Sequence, residues 1–256
     1  MADGDLLALL HGAADRTTTL TGDLRSWWHA SRSSRAFERA RVFASGPIGT
    51  MVHHVGGPGE VPDEGEMVWR VVHASGGRYR WDPVSQVGPY RGHAPPGRQG
   101  SDGQRTWNVG DHTVFIGPRH GSMLGQRLLD PAWALTHDLE IVGDAESSGR
   151  SVLRVHAVAR PDWPRSGGAA EMAAERDLLV DAERGFLHGD TALVDGEPYD
   201  EVSLRSVVLD APVDPSMFDP DIPAGFEVFD HSTDPPPPLP WERRTRWHFQ
   251  WPITRW

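Results

Sequence analysis

Two residue types dominate the candidates for chemistry here: histidine, with 13 copies, and tryptophan, with 11. His29, His73 and His156 fall in stretches of strand-like alternation. An imidazole facing a hollow from such a strand could carry a proton near neutral pH. Metal binding is less well served. His53 and His54 are neighbours, so an extended chain points them to opposite faces. No HExxH motif occurs, and no histidine pair sits four apart on a credible helix beside a carboxylate. No metal is therefore expected. Trp28, Trp69, Trp81 and Trp107 each lie in a predicted strand, and their rigid rings would make good walls for an apolar ligand. Together with His73, Phe115 and Trp133 they form the expected ligand-binding set.

Other chemistries are excluded by what the chain lacks. It has no Cys, so disulfides, thiolate ligands and cysteine nucleophiles are absent. All 25 basic residues are Arg, which rules out a Schiff base or a P-loop lysine. Ser122 sits in HGSMLG, where a His replaces the first Gly of a nucleophile elbow. No glycine-rich dinucleotide fingerprint follows a strand, and no cofactor is expected. The carboxylates Asp177, Asp181, Glu183, Asp190, Asp195, Glu197, Asp200 and Glu201 read as a solvated rim at strand ends and turns. Two of them could face inward as an acid and a base, but the sequence does not select which, and no catalytic residue is assigned. The net charge of -11 argues against nucleic acid as a partner.

The elements that would position these residues are mostly strands. Residues 3 to 16 read as an amphipathic helix, with Leu6, Leu7, Leu9, Leu10 and Ala13 on one stripe. From Thr17 to Ala30 the period changes to two, with Leu20, Gly22, Leu24, Ser26 and Trp28 sharing a face. Residues 37 to 43 are expected as a second strand. Met67, Trp69, Val71 and His73 share one face of the next strand, and Gly76-Gly77 turns the chain back through Tyr79 and Trp81. Residues 105–109 and 112–116 flank Gly110-Asp111 as a further hairpin, and residues 128–135 read as helical around Pro131. From Leu128 to Leu209, apolar runs separated by turn signals at Gly143-Asp144, residues 161–168 and residues 194–197 describe an antiparallel meander. Phe218, in PSMFDP, is expected to plug an edge of the core.

The N-terminus is acidic, without a basic region or a long apolar run, and no segment approaches the ~18 apolar residues of a membrane span. The expectation is a soluble cytoplasmic protein. Residues 1–228 are assigned to one domain and residues 229–240 to a proline-rich linker. Residues 241–256, with four Trp and four Arg, are assigned to a C-terminal segment docked on the domain or on a partner, a homodimer included.

The order of these pieces resembles the LolA/LolB-like lipoprotein-carrier superfamily. The likeness rests on the strand TTTLTGDLRSWWHA after an N-terminal helix, the WRVVHASGGRYRW and GQRTWNVGDHTVFIGP hairpins, and a crossing at LLDPAW. The closing runs LEIVGDAESSGRSVLRVHAV, RDLLVDAERGFLH and SLRSVVLDAPVDPSMFDP complete it, over roughly residues 4 to 228. The resemblance implies a mainly β fold: a curved antiparallel half-barrel with an N-terminal helix and short helices over its concave face. It also implies an apolar hollow for a hydrophobic molecule. Three functions follow as expectations. The chain binds a hydrophobic small molecule or lipid-like ligand, or it is a cofactor-independent enzyme that cyclises or isomerises such a molecule on the same scaffold. In the third, it is a regulatory protein using its Trp-rich tail.

Overall fold

The computed structural model describes residues 3–43, 63–88, 97–110, 112–118, 125–161 and 173–232. Helix α1 (Asp3–His11) leads into strand β1 (Thr19–His29) and helix α2 (Ala30–Phe43). Strands β2 (Glu64–Ala74), β3 (Arg78–Val87), β4 (Arg98–Asp102), β5 (Arg105–Val109) and β6 (Thr113–Pro118) follow. Two short turns of helix, Gly125–Leu129 and Ala132–Thr136, precede β7 (His137–Ser147) and β8 (Arg150–Ala159). The chain continues through β9 (Glu175–Asp181), β10 (Leu187–Val194) and β11 (Glu197–Leu209), a 3-10 turn at Pro215–Phe218, and β12 (Glu227–Asp230).

The described strands form one open, curved sheet of twelve, in the order β12-β6-β5-β4-β3-β2-β1-β11-β10-β9-β8-β7. The mainly β half-barrel expected from sequence is what the chain adopts. Its neighbours pair antiparallel except for β12 on β6, which is parallel. β1 joins the two halves: Leu24 stands opposite Trp69 of β2 on one side and Leu204 of β11 on the other.

Cross-strand partners share a face, so the register sorts the side chains. The inner face carries Leu20, Leu24 and Trp28 of β1, Met67, Trp69 and Val71 of β2, and Tyr79 and Trp81 of β3. Leu178 and Val180 of β9 and Val202 and Leu204 of β11 continue it. Leu6, Leu10 and Ala13 cover this face from the N-terminal segment, and Leu128, Leu129 and Ala134 cover it from the two helical turns. Helix α1 is held very close to the β9–β10 turn. A Cβ on Gly185, which has φ of 81°, would fall 1.9 Å from the Leu9 carbonyl oxygen. Only glycine tolerates both that backbone and that approach.

The outer face has a smaller cover. Phe218 packs on Val72 and Ala74, its ring lies under the Arg78 guanidinium at 5.3 Å, and its carbonyl accepts from Trp107 Nε1 at 2.8 Å. Phe218 thus fills a core edge as its sequence context suggested.

Four local expectations are corrected. Residues 37–43 belong to α2, whose start is fixed from afar. The Asp63 carbonyl accepts from Ala30 N, and its carboxylate accepts from Ser31 N and Ser31 Oγ. A sequence rich in Ala and Arg favours that helix over a strand. Gly143-Asp144 is not a turn: both residues pair with β8 within β7, just past a bulge at Val142, and the chain reverses at Ser148-Gly149. The helix expected at residues 128–135 is two separate turns broken at Pro131, which cannot donate a backbone hydrogen bond. Finally, β12 draws residues 229 and 230, assigned to the linker, into the sheet. The Trp/Arg-rich segment 241–256, like Ser122 and the His53-His54 pair, lies outside the described residues.

Two substitutions test this packing. Phe218→Ala should cost about 3–5 kcal/mol in urea unfolding, because it empties a filled site. Gly185→Ala should lower stability and loosen α1, seen as faster amide exchange at residues 6–10. A loss below about 1 kcal/mol for Phe218→Ala would show that the outer cover is not part of the cooperative core.

Candidate functional site

The site is built on three adjacent strands. Trp28 enters from the end of β1 and lies flat on β2 because Gly65 stands opposite it; a Cβ there would come within 2.3 Å of the indole. Trp69 and Trp81, from β2 and β3, meet with ring centroids 5.9 Å apart and planes tilted by 54°. Tyr79 packs edge-on to Trp81 at 6.4 Å, and His73 stands opposite Tyr79. Trp69 is 7 % exposed, Trp81 2 % and His73 9 %. Burial holds the His73 imidazole down to about 4, so it is uncharged at neutral pH, and pushes the Tyr79 hydroxyl up to about 12. Trp69 Nε1, Trp81 Nε1 and His73 Nδ1 are buried with no hydrogen-bond partner among the described residues.

On β9, β10 and β11 the same face carries charge, and it meets the aromatic residues where Asp200 of β11 stands opposite Trp28 of β1. Arg176, Asp190 and Asp200 occupy inner positions of β9, β10 and β11. Asp190 accepts from Arg176 Nη1 with both oxygens, at 2.7 and 2.8 Å. Arg127, from the first helical turn, reaches Asp190 Oδ2 through Nε at 2.7 Å and Asp200 Oδ1 through Nη2 at 2.7 Å. Trp133 spreads its ring over the Arg176 guanidinium at 4.2 Å and stands edge-on to His137 at 5.2 Å. Burial alone would raise the Asp190 carboxyl, but Arg127 and Arg176 outweigh it and hold the pKa below the usual carboxylate range. Two cations and two anions balance, so the cluster fastens the covering turn to the sheet without a net buried charge.

The sequence-predicted residues divide. Trp28, Trp69, His73 and Trp81 come together on the inner face. Trp133 is on the cover over the charged end. Phe115 follows Trp81 along one cross-strand row, through Gln99 and Asn108, but lies at the sheet margin. It is 40 % exposed and stacks on Phe229 at 5.2 Å. Trp107 is the correction. Its partner in the ladder is Gly100, which stands opposite Arg80, so its ring faces outward toward Phe218. Among the histidines, His29 sits 3.3 Å from Asp63, and His156 lies 2.9 Å from Asp177 and 3.4 Å from Glu175. Both stand beside carboxylates on the outer face of the sheet, away from the aromatic cluster.

The rim expectation fails for three carboxylates. Asp181, Asp190 and Asp200 are buried, each paired with arginine, and Asp181 also lies 3.2 Å from His188 Nε2. For Asp181 and Asp190 the partners outweigh burial and hold the carboxyl below the usual carboxylate range, which makes both poor proton donors. The charged cluster was not anticipated as a unit. Its signal was the alternation of Arg176 with Leu178 and Val180, which puts an arginine on a core face.

No protein-family model matches this sequence, and no curated protein matches it. Solved structures do resemble it. An uncharacterised conserved protein from Thermus thermophilus is 11% identical, with 89% of this chain and 98% of that one covered and a TM-score of 0.49. The MucB chain of a Pseudomonas aeruginosa MucA/MucB complex is 15% identical, with 89% of this chain but only 63% of that one covered and a TM-score of 0.46. A LolA superfamily protein from Nitrosomonas europaea is 7% identical, with 86% and 99% covered and a TM-score of 0.33. With every TM-score below 0.5, these likenesses are of architecture and say nothing of what the chain binds. They do correct one expectation. The neighbours include the Mycobacterium tuberculosis lipoprotein LppX and an outer membrane lipoprotein-sorting protein domain from Vibrio parahaemolyticus, so the cytoplasmic assignment does not stand. Among the described residues, no helix is long and apolar enough to cross a membrane.

Two outcomes check this geometry. Asp190→Asn should destabilise the fold by about 3–5 kcal/mol, since it leaves buried arginine without its counter-charge. His73 sets a pH dependence. Its folded pKa of about 4 lies below the ordinary 6.5, so between those values the unfolded chain binds a proton that the folded chain does not. Stability should therefore be level above pH 6.5 on this account and fall as pH drops toward 4, by at most about 3 kcal/mol. Urea unfolding of His73→Phe should show a shallower fall across that window; an unchanged slope would contradict the buried, neutral imidazole.

Proposed function

We propose that the inner face of the curved sheet binds a hydrophobic small molecule or lipid-like ligand beneath α1 and the 125–136 cover. The observation that carries this is the crowding of Trp28, Trp69, Tyr79 and Trp81 on one face of adjacent strands, with His73 uncharged among them. Such a surface gains about 25 cal/mol for each Å² of apolar ligand area removed from water, or about 0.8 kcal/mol per methylene. A chain of a dozen carbons would gain about 10 kcal/mol in this way, and the smallest cost of association leaves about 6 kcal/mol, an affinity of about 0.1 mM. The charged residues of the same face are mutually paired, so they hold the cover in place and leave the rings of β2 and β3 to the ligand. A histidine with a pKa near 4 is a weak base, which favours carriage over acid–base catalysis.

The test is fluorescence titration of the full chain with 11-(dansylamino)undecanoic acid, read by energy transfer from tryptophan. Saturable one-to-one binding is expected, weakened at least tenfold in Trp81→Ala and unchanged in Trp27→Ala, whose ring is on the outer face. Equal weakening by both, or no saturable binding, would overturn the assignment.

A further inference from the structure

Three buried polar atoms on the aromatic face have no hydrogen-bond partner among the described residues: Trp69 Nε1, Trp81 Nε1 and His73 Nδ1. Folded proteins rarely keep such groups, because each costs about 1–3 kcal/mol relative to a satisfied one. The side chains that carry them are at least nine-tenths buried and share the inner surface of two neighbouring strands. The indole nitrogens are the informative pair, since an indole N–H donates and cannot accept. Whatever satisfies them must bring an acceptor.

The nature of that acceptor follows from what surrounds it. Leu24 and Val71 belong to the same core cluster as these rings and offer no counter-charge. The inner-face arginines Arg127 and Arg176 are committed to Asp190 and Asp200. An anionic head placed beside the two indoles would be desolvated without a cation. A cationic head would find donors where it needs acceptors.

We infer, resting on the binding function proposed above, that the ligand carries an uncharged carbonyl, of ester, amide or ketone type, which accepts hydrogen bonds from the indole N–H groups of Trp69 and Trp81. A carbonyl oxygen has two lone pairs and can take one donor from each strand. Because both nitrogens are screened from solvent, the tilted Trp69–Trp81 pair must part to admit it. Entry then exchanges an unsatisfied closed face for a satisfied, occupied one.

The experiment uses the full chain and three probes of matched length: methyl laurate, tridecane and dodecyltrimethylammonium. Each displaces 11-(dansylamino)undecanoic acid, and Trp69 and Trp81 are replaced in turn by 3-benzothienylalanine, which keeps the bicyclic shape but has no N–H. In the native chain methyl laurate should compete at least about tenfold better than tridecane, the value of one net hydrogen bond. Each replacement should remove most of that advantage and leave tridecane unchanged. Because the two probes are compared within one protein, a general loss of stability cancels. Equal competition by ester and hydrocarbon, an advantage that survives both replacements, or strongest competition by the ammonium would overturn the inference while the apolar binding function stands. If none of the probes, the dansyl acid included, binds saturably, the binding function fails and the inference with it.

Discussion

One constraint runs through the molecule: a β-strand turns alternate side chains to opposite faces, and hydrogen-bonded partners must agree on which. In a sheet of twelve strands that rule propagates from edge to edge. Leu24 fixes the side of Trp69 and Leu204 directly, and Val71 fixes that of Trp81. A slip of one residue in β1 would send Trp28, Leu24 and Leu20 outward and the charged Arg25 and Asp23 inward. The cost of burying those charges is what holds the register.

The inner face has two chemically distinct regions, which meet where Trp28 of β1 stands opposite Asp200 of β11. At one, aromatic rings present apolar area and buried donors. At the other, Arg127 ties the covering turn to Asp190 and Asp200 while Trp133 covers Arg176. Pairing of this kind adds little net stability, but breaking one partner is costly, so it specifies where the cover sits. The neighbouring Leu128 and Leu129 then make the cover part of the core. Without such a cover the aromatic face would be open to association with a second copy of the chain.

Much of the architecture was legible in the residues. The alternation of Leu20, Leu24 and Trp28, the Gly76-Gly77 turn with positive φ at both residues, and the Asp195-Gly196 turn each announced their hairpins and faces. What could not be read was set by partners distant in sequence. Helix α2 begins where Asp63 caps it, more than thirty residues on. Trp107 alternates as cleanly as Trp81, yet parity within a strand does not say which face is inner; the β3–β4–β5 ladder decides that. Asp190 and Asp200 resembled a solvated rim because their arginine partners come from elements 14 or more residues away. Strand β12 is four residues long and gains its place only by parallel pairing with β6.

The central claim is that the inner aromatic face, and no other surface, receives the apolar molecule. The most direct measurement is photocrosslinking with a diazirine-bearing methyl laurate analogue, followed by peptide mapping. Adducts concentrated on β2 and β3, at or beside Trp69, His73, Tyr79 and Trp81, are the outcome required. Adducts on the outer face around Trp107 and Phe218, or scattered over the surface with no saturable component, would contradict it.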